Sequence, residues 1–305
     1  MKEQVLPLHQ PNFNIPIDNI TLSERETLRE WQPPVKVPKD YFWWEVRGGE
    51  IYISMPKLGH FHVKGGIQID YSLINNADPI AMQAFISRAL FSSIVHQRHE
   101  IPIRGTAIVS RNESGATIFS GKSGVGKSSI SAILCLRGWS ILADDICRIS
   151  VLPEAKSEIN LFVHHGYTAI QLTADTCNRL EIDTTVLRPA ATERDKFYYT
   201  PERMALKQRA PTRIIILNRP ASTSRLEWGR CSDEVAIAAL EPQMCRIEIG
   251  KAILGSEKMI ALVKSLISTV PVFVLSIPQD VGPEDVAMEI ERAVCDQLLD
   301  GLGTR

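Results

Sequence analysis

The sequence has few of the features that mark secreted or membrane-spanning proteins. Its six cysteines are scattered without a Cys-x-x-Cys spacing, and this distribution favours reduced thiols that pack inside the protein. No run approaches the roughly 18 apolar residues of a membrane-spanning helix. The segment from Met1 to His9 contains no apolar signal region. We therefore expect a cytoplasmic protein without a membrane partner.

An excess of charge of one sign is also missing. The 34 lysines and arginines balance 35 acidic residues, so the net charge is -1. Such a chain has no electrostatic field that gathers nucleic acid, and we expect no nucleic-acid partner. The pair His60/His62 has no third ligand at a recognised spacing, so we expect no zinc site. With 305 residues, 44% of them hydrophobic, the chain can fill one large domain or one domain with an appendage.

A phosphate-binding loop is the most informative feature that the sequence does contain. The stretch GKSGVGKS at 121–128 matches GxxxxGK[ST] at every position. Its glycines allow backbone N–H groups to turn inward around phosphate oxygens. Lys127 can then reach the β and γ phosphates, and the Ser128 hydroxyl can ligate magnesium. The residues expected to bind the nucleotide are Gly121, Lys122, Ser123, Gly124, Val125, Gly126, Lys127, Ser128 and Ser129.

The residues around this loop predict a strand before it and a helix after it. Ala116 to Ser120 is apolar and favours a strand, and Ser129 to Arg137 has apolar residues at helical spacing before Gly138. The alternative interpretation is a glycine-rich turn between two elements of the core. The strand–loop–helix order favours nucleotide binding.

Two adjacent carboxylates follow the next predicted strand, Ser140 to Ala143. A strand, a helix and a parallel strand joined by a right-handed crossover would bring Asp144 and Asp145 beside the phosphate loop. Because successive strand residues point to opposite faces, one carboxylate can hold magnesium while the other accepts a proton. The alternative is that Asp144 caps a turn and Asp145 is a solvated charge.

The loop and the acid pair together resemble the catalytic core of HPr kinase/phosphorylase and the kinases related to it. Gly121 to Ser128, Arg137-Gly138 and Leu142 to Asp145 carry the resemblance. It implies a P-loop kinase core with a mixed sheet flanked by helices, like the nucleotide-binding part of phosphoenolpyruvate carboxykinase. It also implies ATP and Mg²⁺ as cofactors, Asp144 as the proton acceptor and Asp145 as a magnesium ligand with Ser128. The sequence alone leaves these two aspartate roles exchangeable.

The chain departs from that family just before the loop. Arg104 stands where the bifunctional enzymes carry a histidine. An arginine cannot relay protons near neutral pH, but it can neutralise a transferring phosphoryl group, so we expect a catalytic electrostatic role for it. The alternative is an exposed arginine at the start of a strand. No Glu-Ile-Arg-Gly-like segment follows the acid pair, and we expect no reverse, phosphorylase reaction.

The resemblance is closer to stand-alone kinases that include those acting on the C-terminal serine of lasso peptide precursors. The stretches His165 to Leu172 and Asp195 to Tyr198 carry this part of it. It implies an acceptor that is a peptide or small protein with a serine hydroxyl, and assembly as a homo-oligomer. Two alternatives stay open: an HPr-type protein serine kinase, and a nucleotide-responsive binding module that transfers no phosphate.

The hydrophobic pattern predicts an N-terminal β-rich region with a helix at 1–98 and a P-loop kinase domain at 99–305. In the first region we expect a helix from Ser23 to Trp31, an antiparallel meander from Tyr41 to Ile74 and a helix from Asp78 to His96. In the second we expect a polar loop from Asp183 to Thr200 whose cations close over phosphate. Those cations are Arg188, Arg194 and Lys196.

Later elements follow from the same patterns. The predicted strands are Tyr167 to Leu172, Arg213 to Leu217 and Val270 to Ser276, and the predicted helices are Thr173 to Arg179, Lys258 to Thr269 and Pro283 to Leu299.

Overall fold

Three β-sheets and the helices packed on them form a mixed α/β fold in this computed structural model. The structure describes residues 15–17, 19–25, 42–112, 115–153, 159–190, 195–296 and 298–301. None of the helices in these ranges is long and apolar enough to cross a membrane.

The N-terminal sheet contains the predicted meander. Its strands are β1 (Thr21–Glu24), β2 (Trp43–Arg47), β3 (Glu50–Met55), β4 (Gly59–Lys64) and β5 (Gln68–Leu73), in the order β1-β5-β4-β3-β2. The antiparallel pairs β2–β3, β3–β4 and β4–β5 confirm the meander. The predicted helix at 23–31 is wrong at its start, because Ser23 lies in β1 and pairs in parallel with β5. This tertiary pairing outweighs the local capping signal; residues 26–31 lie outside the described ranges.

One helical run covers the core-facing side of this sheet. It consists of α1 (Pro79–Phe85), a π-helical segment (Ile86–Leu90) and α2 (Phe91–Gln97), which confirms the predicted helix over 78–96. Phe85, Ala89 and Leu90 are buried against sheet residues such as Phe61. The apolar spacing predicted this packing.

The other strands and helices follow in chain order. The strands are β6 (Ile101–Val109), β7 (Ala116–Gly121), β8 (Ser140–Ala143), β9 (Ile146–Pro153), β10 (Ile159–Val163), β11 (Ile170–Thr173), β12 (Arg188–Pro189), β13 (Lys196–Tyr199), β14 (Pro211–Asn218), β15 (Glu227–Arg230) and β16 (Val272–Ser276). The helices are α3 (Lys127–Leu136), α4 (Ala174–Arg179), α5 (Asp233–Leu240), α6 (Ile247–Leu254), α7 (Ser256–Ile267) and α8 (Pro283–Cys295).

The large sheet has the order β10-β9-β6-β7-β14-β16-β15, and β8 also pairs with β6. Strands β7, β14 and β16 run parallel at its centre. Their near-continuous apolar stretches are buried on both faces, as parallel strands require. Helices α3 and α8 cover one face of these strands, around Phe119 and Ile215, and α5 and α7 cover the other, around Ile118 and Ile214.

The connection after the phosphate loop differs from the expected one. Strand β8 is parallel in direction to β7, but antiparallel β6 lies between them and pairs with both. The C-terminal ends of β7 and β8 still point to the same edge of the sheet. The phosphate loop and the acid pair therefore meet there even though their strands are not neighbours.

A three-stranded sheet of order β11-β13-β12 replaces part of the expected polar loop. The loop prediction over 183–200 is wrong, because a 3₁₀ turn at Thr184–Val186 and the strands β12 and β13 form there. Phe197 and Tyr199 pack on the core while Tyr198 between them lines the cavity, an alternation too short to be recognised in the sequence. Arg194 lies outside the described residues.

Other predicted bounds change modestly. The strand predicted from Tyr167 begins at Ile170, and the terminal helix ends at Cys295 rather than Leu299. The remaining predicted strands and helices lie within about two residues of their predicted ends, the usual uncertainty of such boundaries. All six cysteines are reduced thiols, as expected.

Candidate active site

A cavity of about 400 Å³ lies where the phosphate loop, the acid pair, the N-terminal helix and the small sheet meet. Predicted site residues lining it are Arg104, Ser123, Gly124, Gly126, Lys127, Ser128, Ser129, Asp144 and Asp145. Residues separated by up to 41 positions in the chain thus share one space.

The phosphate loop has the backbone conformation that its glycines allow. Gly121, Gly124 and Gly126 all have positive φ, at 137°, 81° and 110°. A Cβ on Gly121 would lie 2.4 Å from the Leu217 carbonyl oxygen, whereas nothing lies within 4 Å of one on Gly124. Gly121 is therefore required for packing against β14, and Gly124 faces open space of the kind a phosphate group occupies.

Lys127 lies across the loop. Its Nζ donates to the carbonyl oxygens of Gly121, at 2.7 Å, and Lys122, at 2.9 Å. Burial lowers the pKa of Lys127, and the positive charge of Arg104 lowers it further, while the two aspartates oppose this shift. A phosphate would replace the two carbonyls as a stronger, charged acceptor.

Gly121, Lys122 and Val125 are the predicted loop residues that are not among those lining the cavity. Lys122 is exposed, and Val125 is buried in the core cluster that includes Ile130 and Phe119. Their nucleotide binding through backbone groups stays a prediction.

Asp144 is a buried carboxyl group with one side-chain donor. Asp144 as a whole residue is 6% exposed, and the hydroxyl of Thr106 donates to its Oδ1 at 2.6 Å. Burial raises the pKa of Asp144 to about 7, against the hydrogen bond from Thr106. Near neutral pH this group can therefore either hold or accept a proton. Thr106 was not singled out in the sequence, because a threonine in a buried strand carries no signal of its own.

Asp145 interrupts the strand edge. Its φ is 66°, in the left-handed region, and it separates β8 from β9 along β6, where its carbonyl oxygen accepts from the Gly105 N–H at 3.1 Å. This reversal breaks the strand alternation on which the opposite-face expectation rested. Asp144 and Asp145 both line the same cavity.

Arg88 is a site residue that the sequence analysis missed. Its Nε donates to Asp145 Oδ2 at 2.6 Å, and its Nη2 to Gln171 Oε1 at 3.4 Å. It lies in the π-helical segment, and π-helical turns occur frequently at functional sites. A retrospective signal exists, since Gln83, Ser87 and Arg88 are polar positions in a mostly buried helix and all three line the cavity.

Arg104 is an exposed residue in the otherwise buried strand β6. It is exposed, as one interpretation held, but it lines the cavity beside Gly105 and Thr106. Its carbonyl oxygen accepts from the Ser120 hydroxyl at 2.6 Å, which fastens β6 to the strand that leads into the phosphate loop. The arginine therefore adds positive charge next to Lys127.

The oxygen donors in the cavity fit a magnesium ion. Magnesium is usually held by one or two carboxylates, with waters and substrate phosphates completing its shell. Asp144, Asp145 and the Ser128 hydroxyl supply such donors in one space. Across the described ranges, no group of three or more His, Cys, Asp or Glu side chains could hold a metal ion.

Comparisons with known proteins give one kind of match. No protein-family model matches the chain, and no curated protein matches it. Among solved structures, it is similar to the Hpr(Ser) kinase/phosphatase from Coxiella burnetii, with 15% sequence identity and a TM-score of 0.34 over 65% of this chain and 91% of that chain.

Proposed function

We propose that the chain is a kinase that uses ATP and magnesium to phosphorylate a serine-type hydroxyl. One observation carries this proposal: a buried carboxyl group, Asp144, shares a cavity with the lysine and serine of a phosphate loop. The loop explains the binding of a triphosphate, and the carboxyl group explains the activation of a hydroxyl.

The proposed step is an in-line displacement. The acceptor oxygen forms a bond to the γ-phosphorus, the bond from that phosphorus to the β–γ bridging oxygen breaks, and ADP leaves. The hydroxyl proton passes to the carboxylate of Asp144. A pKa of about 7 suits this role, because a general base works best when its pKa lies near the working pH.

Charge neutralisation is the second requirement of phosphoryl transfer. Lys127 would pair with the β and γ phosphates, and Arg104 would face the charge that develops on the transferred group. Ser128 and Asp145 would hold magnesium, which supplies further positive charge to the phosphates when bound. The assignment of Asp144 as base and Asp145 as ligand is supported by burial, since Asp144 is 6% exposed while the Asp145 side chain is 36% exposed.

The acceptor that we propose is a peptide or small protein, with a lasso peptide precursor preferred over an HPr-type protein. The two segments that resemble the stand-alone kinases support this choice. They contribute Tyr167, Lys196 and Tyr198 to the cavity wall.

The test is transfer of phosphate from γ-labelled ATP to serine-containing peptides, followed by mass spectrometry. Lys127→Met and Asp144→Asn are each expected to lower kcat by about 100-fold or more. The controls Lys264→Met and Asp233→Asn change exposed residues outside the cavity and are expected to keep full activity. Unchanged transfer by Asp144→Asn would show that Asp144 is not the base.

A second candidate function is a nucleotide-responsive binding module without phosphate transfer. It is favoured by the ion pair that engages the Asp145 carboxylate with Arg88, and by the loss of the family's histidine at Arg104. Tight binding of ATP without any phosphorylated product across the peptide panel would support the module. Any phosphorylated acceptor would exclude it.

A further inference from the structure

The polar face of the small sheet forms one wall of the cavity. The proposed steps of nucleotide binding and phosphate transfer use none of its side chains. Tyr198 of β13 stands in register with Gln171 of β11 on one side and Arg188 of β12 on the other. Lys196 lies two residues before Tyr198, so it projects from the same face. All four line the cavity. The opposite face of the sheet packs on the core through Ile170, Leu172 and Phe197.

These side chains form a continuous row. The amide of Gln171 donates to the Tyr198 hydroxyl at 3.2 Å, and the Arg188 guanidinium lies 4.9 Å from the centre of the Tyr198 ring. Gln171 in turn accepts from Arg88, which binds Asp145. The row thus leads from the acid pair along the cavity wall, and its hydrogen bonds reach Asp145.

Cationic side chains outnumber carboxylates among the described residues that line the cavity. Five cationic side chains line it there, against the two carboxylates of Asp144 and Asp145. Of these described residues, the sheet wall supplies Arg188 and Lys196 and no carboxylate. An anion is the ligand that such a wall favours.

The geometry points to an acceptor subsite on this wall: Arg188 and Lys196, with Tyr198 and Gln171, bind an anionic group that the acceptor carries near its hydroxyl. The anion is a carboxylate or a phosphate, since both match a guanidinium and an ammonium. The inference rests on the proposed function, because it places the acceptor across the acid pair from the phosphate loop. It narrows the sequence-based expectation that these cations close over phosphate, because the anion that they bind here belongs to the acceptor.

Three small probes that share a hydroxyl-bearing carbon chain test the subsite. The full chain is saturated with magnesium and AMP-PNP, then titrated calorimetrically with glycerate, glycerol 3-phosphate and neutral glycerol. At least one anion is expected to bind about tenfold or more tightly than glycerol. The stronger of the two anions identifies the source as carboxylate or phosphate. Equal binding of glycerol, or no binding of either anion, overturns the inference.

Variants locate the binding on the wall. Arg188→Gln and Lys196→Gln are each expected to weaken the binding of the preferred anion by about tenfold and to leave the affinity for AMP-PNP unchanged. Arg225→Gln, at an exposed arginine outside the cavity, is the matched control. Weaker AMP-PNP binding with unchanged anion binding would assign both cations to the nucleotide and overturn the inference. Failure of the proposed function is a separate result, because the wild-type protein would then transfer no phosphate to the peptides. If it also binds no AMP-PNP, the anion titration is run without the nucleotide, and the same outcomes decide the inference.

Discussion

At the scale of single residues, the hydrogen bond from Thr106 acts directly on the charge of the buried carboxyl group of Asp144. Thr106 and Asp144 are both buried, and the hydroxyl of the first is the side-chain donor to the second. A donor to a carboxylate stabilises its charged form and so lowers its pKa. Thr106 therefore opposes the effect of burial on Asp144.

Thr106→Val is expected to raise the pKa of Asp144 further above its ordinary value. The acid limb of the pH profile of kcat/KM should then move to higher pH by about one unit, as the loss of a hydrogen bond to a charged group implies. Thr106→Ser, which keeps the hydroxyl, should restore the wild-type limb. An acid limb that does not move in Thr106→Val would contradict the role of this hydrogen bond.

The raised pKa of Asp144 also predicts that the free energy of unfolding depends on pH. Its pKa in the folded chain, about 7, lies above the ordinary value of 3.8, so the folded state binds the proton more tightly. Its contribution to stability is full below about pH 4 and is lost as the pH rises towards 7. In the metal-free protein, the free energy of unfolding of the wild type should fall over this window relative to that of Asp144→Asn. Parallel curves in urea denaturation at pH 4.5 and 7 would contradict the raised pKa.

At the scale of elements, Gly121 and Gly124 of the phosphate loop have different surroundings. Gly121 packs against the β14 backbone, and Gly124 faces open space. Both have positive φ, so any side chain there is strained. Only Gly121, however, lies against a fixed neighbour, the backbone of Leu217 in β14.

Gly121→Ala is therefore expected to destabilise the chain by about 3 kcal/mol or more, through strain and the clash with the Leu217 carbonyl. Gly124→Ala should lower the free energy of unfolding by about 1 kcal/mol. Its main effect should be weaker binding of AMP-PNP, because its methyl group enters the space for phosphate. Chemical denaturation and calorimetric titration separate the two effects. Equal losses of stability would show that the loop packs differently.

Elements also show where sequence reasoning succeeded. The strand before the phosphate loop, helix α3 and strand β8 were predicted because their apolar residues are buried continuously or at helical spacing. Strands β1, β12 and β13 were missed, because they form through pairing with other strands that no local pattern records. The same limit hid Arg88, whose partner lies 57 residues away.

At the scale of the whole molecule, the last helix is fastened to the nucleotide-binding core by one carboxylate. Glu291 of α8 accepts from Arg111 and from Trp139, at 3.1 and 3.3 Å, and also pairs with Arg137. The side chain of Glu291 is 11% exposed, and its partners are expected to hold the pKa of Glu291 below its ordinary value against burial. These contacts join the C-terminal helix to the segments on either side of α3.

Glu291→Ala is expected to lower the free energy of unfolding by about 3 kcal/mol, because three donors lose their acceptor. Asp175→Ala, whose partner Arg179 forms an exposed i,i+4 pair, should change it by less than about 0.5 kcal/mol. Urea denaturation of both variants measures the difference. Similar small losses would show that the Glu291 cluster is not a stabilising contact.

The N-terminal helix contributes to the cavity, which the hydrophobic pattern did not predict. The helix that carries Arg88 belongs to the region 1–98, yet its polar residues line the same cavity as the predicted site residues, which all lie in the region 99–305. The division at residue 98 and assembly as a homo-oligomer stay predictions. The position of Arg88 follows from the packing of the N-terminal helix, whose core cluster includes Ile146, next to the acid pair.

A crystal structure of the chain with magnesium and AMP-PNP is the most direct test of the central claim. We expect the triphosphate in the loop from Gly121 to Ser128, with the carboxylate of Asp144 facing the γ-phosphate and the row of Gln171, Tyr198 and Arg188 beyond it. A nucleotide bound elsewhere, or a γ-phosphate directed away from Asp144, would contradict the assignment of this cavity as a kinase active site.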